Sequence, residues 1–186
     1  MIVLAGASAS GKTEVAKMLA AKYGIKKIVT TTTREKRNGE VDGVDYFFVT
    51  KEEFERMIHD DKFVEYTLYN GNMYGSTKDQ IANDKCVVID PAGLRSYIAL
   101  NNKDIVTFYL EASESTRHKR MIARGDDPKK IESRIANDRV AFKKENIAKV
   151  DYQINSDIDC TVESVTDEIY KIYLAHQAKL HKSDIN

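Results

Sequence analysis

The sequence predicts an α/β fold: an open parallel sheet flanked by helices, with an inserted mixed-β lobe. Three observations carry that prediction. The apolar run "MIVLA" at residues 1–5 meets a glycine-bearing loop, as a strand buried on both faces does. β-branched apolar runs then alternate with stretches of helical spacing, the rhythm of a sheet covered on both sides. From about residue 34 to 80 the rhythm breaks into short strand-like runs separated by turns, which marks the insertion.

Each element has its own signal. From Lys12 to Tyr23, Val15, Met18 and Leu19 recur at helical spacing, and Gly24 is a natural stop. "KKIVTTTT" at 26–33 reads as a second strand, "VDYFFVT" at 44–50 as a third, and "KEEFERMIHDD" at 51–61 as a short helix. Residues 62–75 set Asn70-Gly71 between aromatic-rich runs, a hairpin signal. "KCVVID" at 85–90 is a buried strand halted by Pro91, and "DIVTFYL" at 104–110 is another. A charged helical region runs from about Ser113 to Lys149. "DYQIN" at 151–155 forms a last strand, and an amphipathic helix follows over 162–180.

Composition narrows the function classes. With 186 residues, 42% hydrophobic and 31% charged, the chain suits one soluble domain. Its formal charge of zero argues against a dedicated nucleic-acid binder. Cys86 and Cys160 make no disulfide framework or metal motif and read as buried thiols of a cytoplasmic protein. The apolar start carries no basic leader, and no run approaches the roughly 20 residues of a membrane span. His59, His118, His176 and His181 are scattered and read as surface residues.

Gly6-Ala7-Ser8-Ala9-Ser10-Gly11-Lys12-Thr13 matches G-x-x-x-x-G-K-[ST], with a strand before it and a helix after. Backbone N–H groups there turn toward phosphate oxygens, and the helix N-terminus adds positive charge. Lys12 is placed to reach the β/γ phosphates, and the Thr13 hydroxyl to ligate Mg²⁺. Asp90, ending its strand beside the loop, is placed to orient Mg²⁺ or to cap the helix that opens at Pro91. The sheet is therefore expected to be of the P-loop NTPase type.

Arg34 and Arg37 lie three apart in a loop after a strand, where two guanidinium forks could clamp one phosphate. Residues 117–149 hold 11 Lys/Arg against 5 Asp/Glu, with Arg117, Arg120 and Arg124 on one helix face and Arg134 after the turn "GDDP". Taken alone, Arg117 reads as a solvated helix residue.

The stretch Thr32-Thr33-Arg34, Arg37, Glu40, Gly43, Tyr46, Phe48 resembles the guanylate kinase signature, and "FVEYTLYNGNMYGST" resembles that family's next block. The similarity runs from the phosphate loop to the last helix. It implies a nucleoside monophosphate kinase moving the γ-phosphate of MgATP to GMP or dGMP. By the same resemblance Arg34, Arg37, Tyr46 and Tyr74 would hold the GMP phosphate. Glu65, with Thr30 and Ser76, would read guanine, and Asp90 would add an acceptor contact. Arg124 and Arg134 would be the lid arginines, and Asn155 would lie by the adenine. The resemblance divides the single domain into a core (about 1–33, 84–115 and 150–186), a GMP-binding lobe (about 34–83) and a helical lid (about 116–149). The partners expected are small-molecule nucleotides, without nucleic acid or membrane, for a monomer or homodimer.

The sequence departs from the family's Asp-x-Asp: its first position is Val88, and Ala92-Gly93 follows in place of Gln-Gly. Ala7 stands where the family commonly has Pro. Two other readings therefore stay open. One is a guanylate-kinase-like binding module; the other is a related P-loop kinase with a different phosphorylated acceptor.

Overall fold

The structure is a computed structural model that describes residues 1–69 and 71–183, apart from the side chains at 144 and 181–183. Asn70, the first half of the expected hairpin turn, lies outside the described residues, as does the side chain of His181.

Five parallel strands form the main sheet: β1 (Ile2–Ala5), β2 (Lys26–Lys27), β7 (Lys85–Ile89), β8 (Val106–Glu111) and β9 (Tyr152–Asn155), in the order β2-β7-β1-β8-β9. Side chains of β1 alternate between two cores, as the two-residue strand period requires. Ile2 and Leu4 join Val15 and Leu19 of α1 (Lys12–Tyr23) and Ile169 of α6 (Val162–Ser183). Met1, Val3 and Ala5 join Leu94 and Tyr97 of α3 (Pro91–Ala99) on the other face. Ala5 pairs with both Ile89 and Tyr109, and Glu111 pairs with Asn155, so the carboxyl ends of these strands border one edge.

A second, mixed sheet runs β4-β3-β6-β5, from β3 (Thr31–Thr32), β4 (Phe47–Phe48), β5 (Phe63–Tyr69) and β6 (Asn72–Thr77). The short helix α2 (Lys51–His59) begins at Thr50, whose hydroxyl caps it by accepting from Glu53 N. The run "KKIVTTTT" is not one strand: β2 stays in the main sheet and β3 enters the second. Gln80 explains the break. Its side chain accepts from Val29 N at 2.7 Å and donates to Val29 O at 2.5 Å, so that residue is satisfied without a ladder partner.

The charged region also divides. Helix α4 (Glu114–Ala123) is followed by Gly125 at φ +79°, and Asp127 caps α5 (Pro128–Ala141) by accepting from Lys130 N. "GDDP" therefore stops one helix and starts the next, and the pair forms a hairpin beside the strand ends. No helix among the described residues is long and apolar enough to cross a membrane. Cys86 is buried, whereas Cys160 is only partly so.

Candidate active site

The loop after β1 is compact because its first glycine admits nothing larger. Gly6 sits at φ +151°, and a Cβ there would lie 2.6 Å from Leu110 O and 2.7 Å from Ser10 Oγ. Lys12 folds back over the loop, donating to Gly6 O at 2.6 Å and Ala7 O at 2.8 Å. Burial lowers its ammonium pKa to about 8, partly countered by the charge of Asp138. Ser10 is buried, and its carbonyl accepts from Ser156 Oγ at 2.8 Å.

Two cavities flank the loop. The first, about 420 Å³, is bordered by the run Ala9–Val15, including Gly11 and Thr13, and by Arg120, Ser156 and Val162. The second, about 680 Å³, is bordered by Gly6, Ser8, Glu65, Asp90 and Asp138. Lys12 borders both.

Glu65 on β5 stands opposite Ser76 on β6. Ser76 Oγ donates to Glu65 Oε1 at 2.6 Å, and burial raises the Glu65 pKa above its ordinary 4.5 against the lowering effect of that bond. Tyr74 is two residues before Ser76 on the same strand, hence on the same face and about 7 Å along it. Its ring meets Tyr46 edge-on at 6.1 Å, and the Arg34 guanidinium lies 5.3 Å from the Tyr46 ring centre. Glu40 links the two arginines, accepting from Arg34 Nη2 at 2.6 Å and from Arg37 N at 2.8 Å. Arg37 is exposed and joins this cluster through its backbone. Thr30 contributes its carbonyl to Phe47 N at the start of the lobe.

Asp90 caps α3, accepting from Gly93 N at 2.8 Å, while also bordering the second cavity. Val88, on β7 just before it, borders that cavity too. Asn155 is exposed and accepts from Asp157 N at 3.0 Å, so the first cavity's wall at that end is Ser156, Cys160 and Thr161. Among the described residues, no group of three His, Cys, Asp or Glu side chains could hold a metal ion.

The α4–α5 hairpin corrects one expectation. Arg117 is not solvated: it is 7% exposed and donates to Asp138 Oδ2 at 2.7 Å. Asp138 in turn accepts from Ser8 N at 2.9 Å, which ties α5 to the loop. Arg120 donates to Ala9 O at 3.3 Å and Ser156 O at 2.8 Å. Arg124 and Arg134 instead converge on Asp126 at the hairpin tip and are half exposed. Asp138 could have been found in the sequence. It follows Ile131 and Ile135 at helical spacing, which places a carboxylate on the buried face of α5.

Comparisons with known proteins agree with this architecture. The sequence model of the family described as Guanylate kinase matches residues 1–172. The guanylate kinase of Clostridium acetobutylicum is 32% identical over 98% of this chain and 88% of its own length. That of Symbiobacterium thermophilum is 36% identical over 73% of this chain and 68% of its own. The Fusobacterium nucleatum guanylate kinase is 46% identical over 81 residues, 44% of either chain. A crystal structure of guanylate kinase from Anaplasma phagocytophilum shares the fold, with a TM-score of 0.63 over 95% of this chain and 85% of that one at 24% identity.

Proposed function

The chain belongs to the guanylate kinase family, and we propose that it transfers the γ-phosphate of MgATP to GMP or dGMP, giving ADP and GDP or dGDP. The observation that carries this reading is the position of Lys12, on the wall of both cavities with the phosphate loop between them. A donor nucleotide in the first cavity, its phosphates along the loop, would point its terminal phosphate at an acceptor in the second.

Residue roles follow from chemistry. The loop residues Gly6 to Thr13 supply N–H groups, a hydroxyl and the Lys12 ammonium to the ATP phosphates. Arg34, Tyr46 and Tyr74, with Arg37 reoriented from solvent, hold the GMP phosphate. Glu65 accepts from N1–H and the 2-amino group of guanine; adenine offers neither donor. Ser76 holds that carboxylate, with Thr30 at the lobe's base. Arg124 and Arg134 meet the transferring phosphoryl group when the hairpin closes, and Asn155 shapes the turn beside the adenine. The attacking atom is an already ionised phosphate oxygen, so alignment and charge stabilisation suffice without a general base. On this reading the GMP lobe is about 34–83, the lid about 116–149, and the remainder the core.

Mg²⁺ enters with ATP. The donors offered, the Thr13 hydroxyl and the Asp90 carboxylate, are hard oxygens that suit it. When bound, the ion supplies neutralisation of phosphate charge. The partners on this reading are small-molecule nucleotides met in the cytoplasm, by a monomer or a homodimer.

The test is ADP release from ATP with GMP, dGMP, AMP, CMP and UMP as separate acceptors, with and without EDTA. Mg²⁺-dependent release with GMP and dGMP alone is expected. GMP binding without turnover would favour the binding-module reading instead. Turnover with another phosphorylated acceptor only would reassign the second cavity.

A further inference from the structure

The backbone N–H of Ser8, inside the phosphate loop, already donates to an anionic oxygen. Asp138 Oδ2 accepts from it at 2.9 Å, and the same oxygen accepts from Arg117 Nη1 at 2.7 Å. Ser8 Oγ donates to Asp138 Oδ1 at 3.2 Å. The Arg117 and Asp138 side chains are 8% and 10% exposed, and Lys12 lies near enough to feel the charge of both. A loop N–H, a hydroxyl and a buried guanidinium therefore converge on one carboxylate. That donor set is what a phosphate group requires. Here the chain fills the position with its own carboxylate.

The position can be assigned along the nucleotide. Ser8 and Asp138 border the second cavity and not the first. The phosphate that reaches them is the one nearest the acceptor, which is the terminal one. It cannot simply join Asp138, because two anions in a low-dielectric site repel strongly. Nor can Asp138 leave alone, because Arg117 would then be buried without a counter-charge. Exchange of one anion for the other satisfies both constraints.

We infer that Arg117 is a phosphate-contacting residue, held in reserve by Asp138 until the terminal phosphate of ATP takes the carboxylate's place on Ser8 and Arg117. The inference rests on the reading that ATP occupies this loop. It gives the α4–α5 hairpin a trigger: Asp138 is on α5, so the exchange releases α5 from the loop when ATP binds but not when ADP does.

The test is calorimetric binding of Mg²⁺ with adenosine 5′-(β,γ-imido)triphosphate, and of Mg²⁺ with ADP. Asp138→Asn keeps the side chain's size and removes the competing charge. It should tighten the triphosphate analogue about fivefold or more and leave ADP unchanged. The double variant Arg117→Leu, Asp138→Ala removes both charges and should weaken the analogue about fivefold or more, again sparing ADP. A pair that is only structural shifts both nucleotides alike in both variants, and that result overturns the inference. A crystal structure of the unaltered protein with the analogue decides the matter even where a variant fails to fold. Arg117 on a phosphate oxygen with Asp138 off Ser8 is expected; Asp138 still on Ser8 beside bound analogue overturns the inference alone. Failure of the unaltered protein to bind either nucleotide removes the ATP reading and this inference with it.

Discussion

Ser76 donates to Glu65 at 2.6 Å across the β5–β6 pair, holding a partly buried carboxylate in place. Glu65→Gln keeps the shape and replaces half of an acceptor pair with a donor. We expect kcat/KM for GMP to fall about 100-fold or more while KM for ATP stays put. Burial holds the Glu65 pKa above 4.5, so protonation and loss of the acceptor begin at a higher pH than for an ordinary carboxylate. GMP binding should therefore weaken as pH falls through that raised value. Ser76→Ala removes a bond that lowers the pKa and should move the weakening to higher pH. Steady-state pH profiles against GMP and ATP check both.

Lys12 titrates near 8 because burial disfavours its charge. Between about pH 8 and 10.5 this one site thus holds less proton in the folded, nucleotide-free protein than in the unfolded chain, whereas the buried Cys86 thiol, raised to about 11, holds more. The Lys12 contribution to stability should rise with pH across that window, so the stability of Lys12→Met should fall more steeply with pH there than that of the unaltered protein. The same variant should lower kcat about 10²–10³-fold, as loss of one charge-stabilising donor does. Thermal melts at several pH values, paired with initial rates, measure the two effects separately.

Arg124 and Arg134 share Asp126 at an exposed hairpin tip. Exposed pairs contribute little to stability. Replacing either arginine with Ala should leave the melting temperature unchanged yet reduce kcat about 10³-fold, the scale of a transition-state arginine. A fall in melting temperature with unchanged kcat would reduce the pair to a surface contact.

Gly6→Ala places a methyl group 2.6 Å from Leu110 O, in the backbone of the neighbouring strand. That carbonyl cannot step aside, so we expect a loss of about 2 kcal/mol or more with weakened ATP binding. Urea denaturation and nucleotide titration of the variant would detect each.

The parallel sheet and phosphate loop were legible because their signals are local: an apolar run, glycines at fixed offsets, a helix start. Glu65 and Ser76 are singled out by the family resemblance alone, and the antiparallel hairpin sets them opposite each other. The pairing of Arg117 with Asp138 is not legible because its signals are not local. They lie 21 positions apart on two helices, and their meeting point is a loop more than 100 residues earlier. The split of "KKIVTTTT" was hidden too, since β-branched residues suit either sheet and the decision rests on the distant Gln80 side chain.

The strand β1 precedes the other four in the sequence and is the middle of the main sheet. Its two neighbours, β7 and β8, begin at Lys85 and Val106. A nascent chain therefore carries Ile2, Val3 and Leu4, all fully buried in the finished fold, with no sheet partner until Lys85–Ile89 has been synthesised and no second one until Val106–Glu111 has. Contacts of such sequence separation close slowly and leave apolar strands exposed meanwhile. During synthesis, then, the segment that becomes the nucleotide cradle waits unpaired while the whole mixed sheet is made, and truncations ending before Glu111 should aggregate rather than fold.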